Sequence, residues 1–253
     1  MKETKILMGM PITVEIVDSS VDAMDINDVF NYFKYVENRF SVHKPESEIS
    51  QINDQKINQA DWSEEMLIIF DLARETKKLT DGYFDIVNRE GKFDPSGIVK
   101  GWAIFNASKI LEGRGFTNFY IEAGGDIQAK GKNSLGEDWR IGIRNPFNIQ
   151  QIVKAVAVGD NGVATSGTYI RGQHIYDPKQ KDLPITEIVS LTVIGPNIYE
   201  ADRFATAAFA MREKGIAFIE KIPGFEGYMI NKNGRATMTS GFEKYLKNYV
   251  HVD

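Results

Sequence analysis

The sequence predicts an α+β fold organised as one domain over residues 1–253. Strand-like alternation and helix-like periodicity interleave along the chain without the regular order of βαβ units. No Pro/Ser-rich linker, low-complexity stretch or internal repeat divides it. With 42% hydrophobic and 26% charged residues, it has the composition of a globular chain able to bury a core.

Residues 12–17 alternate apolar and polar side chains, as a half-buried strand does, with Met8-Gly9 just before them. After a polar stretch, Ile26, Val29, Phe30, Phe33, Val36 and Phe40 fall on one face of a helix. Met66, Ile69, Phe70 and Ala73 mark a second amphipathic helix, with Asp61 and Glu64 spaced as a capping box and an end near the turn Asp81-Gly82. Further strands are expected at 118–123, 139–144, 152–158 and 189–194, and helices at 99–111 and 201–211.

Lys and Arg total 30 against 35 Asp and Glu, so the net charge of −5 gives no global field for nucleic acid or anionic lipid. Phosphate recognition, if present, has to be local. The absence of cysteine excludes disulfides, thiolate metal sites and a Cys nucleophile. Any metal is therefore held by oxygen or by His43, His174 or His251. Residues 1–11 lack the apolar core of a secretory signal and no later run approaches a membrane span, which gives the expectation of a cytoplasmic protein without a membrane segment.

The common nucleotide, metalloprotease and serine-hydrolase motifs are absent. Four polar segments stand out instead. In the first, Asp94-Pro95-Ser96-Gly97 forms a turn before a helix, and the reading puts Lys100 in that helix's first turn. Free N–H groups there already favour an anion, so a phosphate partner would explain the lysine as well as a solvated position would. In the second, Asp202 and Thr206 stand four apart on one helix face, a pair of hard oxygen ligands suited to Mg²⁺ or a plain solvent-facing pair. The pattern reads Asp202 as an exposed carboxylate. In the third, residues 162–169 precede His174 and the turn Asp177-Pro178, where an imidazole is a candidate general base or a simple surface residue. The fourth, residues 122–126, puts two glycines at a strand end, for close approach to a ligand or for a tight turn.

In their order and spacing these segments resemble the ApbE family of FAD:protein FMN transferases along nearly the whole chain. The resemblance is carried by Met8-Gly9, residues 40–50 ending in Asn53, residues 80–85 and residues 94–102. Gly124-Gly125-Asp126, residues 139–142, Thr165-Ser166-Gly167, residues 174–178 and residues 201–207 continue it. It implies a single ApbE-like, T-fold-related α+β domain with mixed or antiparallel sheets and packed helices. It also implies FAD as donor substrate, bound against Met8, His43, Tyr83, Phe84, Asp85, Asp94 and Lys100, with Val189 and Ser190 near the nucleotide. Mg²⁺ would be held by the Gly97 carbonyl, Asp202 and Thr206, with His174 as base and Lys100 assisting.

The implied reaction moves FMN from FAD onto a Thr or Ser hydroxyl of an acceptor protein and releases AMP. Two alternatives share the same motifs: hydrolysis of FAD to FMN and AMP, and non-catalytic FAD binding. The chain departs from the family at His43, where an aromatic Tyr is frequent, and at residues 179–182, where a basic-Thr-Gly turn is usual.

Overall fold

Alternating burial along the strands builds an antiparallel sheet that divides the molecule into two apolar layers. The computed structural model describes residues 1–168 and 175–246. The strands are β1 (Lys2–Leu7), β2 (Met10–Ile16), β3 (Phe119–Ala123), β4 (Asp126–Lys130), β5 (Arg140–Asn145), β6 (Asn148–Ala157), β7 (Gly162–Gly167), β8 (Ile188–Gly195), β9 (Glu226–Asn231) and β10 (Ala236–Met238). Eight of them pair in the order β1-β2-β3-β4-β7-β8-β9-β10, while β5 and β6 form a separate hairpin. The helices are α1 (Ala23–Phe40), α2 (Glu48–Asn53), α3 (Glu64–Leu79), α4 (Ser96–Gly113), α5 (Ile198–Ala210) and α6 (Gly215–Ile219).

The two-residue period sends Ile12, Val14, Phe119, Ile121, Leu191 and Val193 to one face of the sheet, where they meet the buried side chains of α1, α4 and α5. The opposite face presents Ala129, Val163, Ile194, Tyr228 and Ile230 to Trp139, Ile143 and Val156 of the β5-β6 hairpin. The same alternation that makes a strand thus decides which layer each side chain joins. Among the described residues no helix is long and apolar enough to cross a membrane.

Several expectations need correction. Met8-Gly9 does not precede the first strand; it is the turn between β1 and β2, with both residues at positive φ (52° and 71°). β1 is a sheet edge with half its residues exposed, so its apolar signal is weak. The N-cap of α3 is Ser63, whose hydroxyl accepts the Met66 N–H at 3.2 Å, while Asp61 sits in a preceding 3-10 turn. A serine adjacent to the helix competes better for that orphan donor than an aspartate two residues earlier. Helix α4 begins at Ser96 rather than Val99, so Lys100 lies beyond the first turn and the argument from free N–H groups does not apply to it.

Helix α4 buries nearly all its circumference, with Ile98, Val99, Ala103, Ile104, Ala107 and Leu111 all inside. One glycine makes that possible. A Cβ on Gly101 would lie 2.6 Å from Asp202 Cβ and 3.0 Å from the Ile198 carbonyl oxygen, so α4 and α5 cross in near backbone contact. The start of α5 is itself fixed by β4, whose Gln128 Oε1 accepts the Ile198 N–H at 2.8 Å.

Gly101→Ala sets two effects against each other. Helix propensity alone favours alanine by roughly 0.5–1 kcal/mol. Forcing a methyl against backbone and Cβ atoms costs about 1–3 kcal/mol. The clash is the larger effect, so the variant is expected to melt several degrees lower by circular dichroism; an unchanged or raised Tm would contradict the close crossing.

Candidate active site

The first wall of the cleft is a chain segment held by side chains that mimic backbone pairing. At the end of α3 the buried Thr80 hydroxyl donates to the Thr76 carbonyl (2.7 Å) and accepts the Phe84 N–H (3.1 Å). With Asp81 and Gly82 both at positive φ, this turn presents Tyr83, Phe84 and Asp85. Asp85 is pinned in turn, its Oδ1 accepting the Val87 N–H at 3.0 Å and its Oδ2 lying 2.7 Å from Lys77 Nζ. Asn53 spans both backbone groups of Phe93, accepting its N–H at 2.8 Å and donating to its carbonyl at 2.9 Å. Asp94 follows, its N–H bonded to the Ile86 carbonyl at 2.7 Å and its carboxylate accepting the Ser96 N–H at 3.1 Å, which turns the chain into α4.

The floor is made where α4 meets α5. Asp202 Oδ2 accepts the Gly101 N–H at 2.8 Å, and a Cβ on Gly97 would meet Thr206 Cγ2 at 3.4 Å, so Gly97 and Thr206 are neighbours across the two helices. Lys100 Nζ stands 2.6 Å from Asp126 Oδ2 and 3.6 Å from Asp202 Oδ1. Asp126 is only 1% exposed and Asp202 3%, so these are interior charges and not a solvated surface pair. Asp126 opens β4 after the Gly124-Gly125 turn, and its Oδ1 accepts the Thr165 N–H of β7 at 3.0 Å.

The cleft is bounded by Tyr83, Phe84, Asp85, Asp94, Gly97, Lys100, Asp202 and Thr206 on these elements, with Gly124, residues 165–167, Ile175, Tyr176 and Pro178 opposite. The cleft is open to solvent along one side, and its enclosed part measures about 160 Å³. Eight of the residues singled out in the sequence therefore converge. Met8, His43, Val189 and Ser190 do not line it. Met8 packs against the main core and His43 is exposed. Ser190 is buried in β8 opposite Gly167 of the cleft wall, and the Val189 carbonyl accepts the Thr168 N–H at 3.3 Å. His174 lies outside the described residues.

Sequence reasoning passed over Asn88, Ser96 and Tyr176, which also line the cleft. Tyr176 lies under the Arg89 guanidinium at 4.8 Å, and burial, followed by the charges of Asp94 and Asp85, raises its phenol above the usual value. Ser96 and Tyr176 carry a signal only as members of the segments 94–102 and 174–178, and Asn88 falls between the segments read from the sequence and carries none.

Among the described residues the cleft lining is anionic: Asp85, Asp94 and Asp202 face the ammonium of Lys100. Asp202 is not the exposed carboxylate that its helix position suggests. Burial raises its pKa, the Lys100 ammonium opposes the rise, and the Asp126 carboxylate adds to it. Two buried carboxylates share one lysine, so the described residues of this cluster carry one carboxylate more than they have cations. A hard divalent cation fits that deficit. Among the described residues no three His, Cys, Asp or Glu side chains gather as a ready cage.

An antiparallel sheet backed by crossing helices, with a lysine-aspartate cluster at the floor of an open cleft, defines an α+β protein whose ligand site lies where sheet and helices meet. The chain matches the ApbE family over residues 8–90 and 87–229. It belongs to that family. Among curated relatives it is 36% identical over 165 residues to a Vibrio cholerae FAD:protein FMN transferase, covering 60% of this chain and 49% of the relative. It is 30% identical over 156 residues to the Klebsiella pneumoniae protein of the same name, covering 58% and 44%. The chain thus spans about half the length of the curated relatives it matches. Its fold is that of the flavin transferase ApbE from Vibrio cholerae, with TM-score 0.85, 23% identity, and 97% of this chain and 99% of that one covered. The ApbE protein from Thermotoga maritima superposes at TM-score 0.87 with 21% identity, covering 98% and 99%.

The raised Asp202 pKa makes a stability prediction for the metal-free protein. A carboxyl whose folded pKa exceeds its unfolded value holds its proton longer in the fold, so its effect is most favourable below the unfolded pKa and is lost as pH rises through the folded one. Asp202→Asn keeps the acceptor for Gly101 N–H and removes the penalty. The variant is expected to melt a few degrees above the parent at pH 8, at about 2–4 °C per kcal/mol for a chain near this size, with the gain shrinking toward pH 4. A variant less stable than the parent at pH 8 would contradict this.

Proposed function

We propose that this chain is a Mg²⁺-dependent FAD:protein FMN transferase. The observation that carries the reading is the buried Lys100–Asp126–Asp202 cluster at the floor of a cleft lined by carboxylates. A diphosphate entering such a cleft without accompanying cations meets net repulsion. Family membership and the relatives' names, FAD:protein FMN transferase, favour FAD as that diphosphate.

In this reading FAD lies along Tyr83, Phe84, Asp85 and Asp94, with its pyrophosphate toward Lys100; Met8, His43, Val189 and Ser190, which lie outside the lining, would meet the ends of the ligand beyond it. Asp202, Thr206 and the Gly97 carbonyl would hold Mg²⁺. Bound there, it supplies charge neutralisation at the diphosphate.

Lys100 adds a point charge on a stem whose head is already placed by Asp126. His174, in the position the family resemblance assigns to the base, takes the proton of the acceptor hydroxyl. The Thr or Ser oxygen bonds to the phosphorus of the FMN moiety as the bond from that phosphorus to the bridging oxygen breaks. AMP leaves with the bridging oxygen and the bond's electron pair, and the acceptor keeps FMN as a phosphodiester.

The test combines the protein with FAD, Mg²⁺ and candidate acceptor proteins, read by intact mass and by AMP release. The expected outcome is an acceptor carrying one FMN phosphodiester for each AMP formed. AMP together with free FMN and no adduct would replace transfer by hydrolysis. His174→Ala is expected to lower turnover by roughly 10²–10⁴, the usual share of a positioned acid–base group, with FAD affinity nearly intact by calorimetry. Wild-type turnover in that variant would remove His174 from the mechanism.

A further inference from the structure

The buried cluster contains one carboxylate that the proposed chemistry does not use. Asp126 is 1% exposed and does not line the cleft, yet it makes the shorter contact to Lys100, 2.6 Å against 3.6 Å from Asp202. Its other oxygen is fixed by the Thr165 N–H at 3.0 Å, so the carboxylate that meets Lys100 is anchored to the sheet. Stability alone is a poor explanation. A buried ion pair seldom repays its desolvation against an apolar replacement, and removing one partner from it is costly. Here a second carboxylate, Asp202, competes for the same ammonium from the neighbouring helix.

We infer that Asp126 is a positioning residue that holds the Lys100 ammonium back from Asp202, leaving the Asp202 carboxylate open to a divalent cation while keeping a positive charge at the cleft floor. The geometry is that of a three-body competition. With Asp126 in place, the lysine has an anchored anion at hydrogen-bonding distance and meets Asp202 only at longer range. Without that anion the nearest carboxylate for Lys100 is Asp202, and lysine and metal compete for one oxygen donor. This rests on the metal reading of Asp202 given above.

The test is a double-mutant cycle on Asp126 and Lys100. Its readouts are Mn²⁺ binding followed by electron paramagnetic resonance of the free ion, and turnover of FAD as a function of Mg²⁺ concentration. Asp126→Asn preserves shape and the acceptor for Thr165 N–H. It is expected to weaken Mn²⁺ binding at least tenfold and to raise the half-saturating Mg²⁺ by a similar factor, with much of the lost turnover recovered in excess Mg²⁺. In the Lys100→Met background the competitor is gone, so adding Asp126→Asn is expected to change Mn²⁺ affinity less than threefold.

A purely structural Asp126 would lower Tm and leave metal affinity where it was, which overturns the inference. Equal losses of affinity with and without Lys100 would also overturn it, since Asp126 would then be attracting the metal directly. Should Asp126→Asn fail to fold, the comparison of Lys100→Met with the double variant, which removes both members of the buried pair, still decides: a loss of tenfold or more there refutes a role acting through Lys100, and an unchanged affinity supports it. A parent protein that binds no Mn²⁺ and ignores Mg²⁺ would refute the metal reading itself, and with it this inference.

Discussion

Two carboxylates are buried within reach of a single ammonium, and much of the surrounding structure is arranged to keep them there. Asp202 reaches the cluster because Gly101 lets α4 and α5 cross almost backbone to backbone, with the Gly101 N–H as one of its partners. Asp126 reaches it because the Gly124-Gly125 turn, with φ of 59° and 97°, brings β4 under the helices. The sheet register supplies the Thr165 N–H that orients it. Each charge is costly to bury alone. Together they form a site whose remaining deficit is positive charge, which a bound divalent cation would supply.

That arrangement explains why the loops around the cleft are so heavily tied. Asn53 spends both ends of its amide on Phe93, Thr80 bridges α3 to Phe84, and Asp85 is held by Lys77 and the Val87 N–H. A positioned charge is useful only if its neighbours do not relax around it, because preorganised electrostatics act without reorganisation at the moment of reaction. The rigid framework of sheet and crossing helices carries the floor of the site, while polar side chains that imitate backbone pairing hold the segment from Tyr83 to Asp94.

Much of this was legible in the sequence where local periodicity carries the information. The faces of α1 and α3, the β3, β5, β6 and β8 strands, and the one-face spacing of Asp202 and Thr206 all follow from repeats of two or of three and four residues. What local pattern does not encode is partnership across the chain. Lys100 and Asp202 are meaningful together only because Gly101 permits their helices to touch, so Lys100 reads as a helix-start anion ligand and Asp202 as a solvated carboxylate until that contact is known. Asp126 has the same character: two glycines before an aspartate signal a turn, and nothing nearby in the chain says that the carboxylate is buried. β1 is hidden for a different reason, since a charged edge strand lacks the apolar alternation of an interior one.

The central claim is that the cleft binds a flavin dinucleotide through its diphosphate with the help of a divalent cation. Calorimetric titration of FAD into the purified protein tests it directly, in Mg²⁺ and again in excess EDTA, with FMN and riboflavin as controls. The account predicts that FAD binds markedly tighter in Mg²⁺ than in EDTA, and tighter than either ligand lacking the diphosphate. Equal FAD affinity with and without the ion, or equal affinity for FAD and riboflavin, would contradict it.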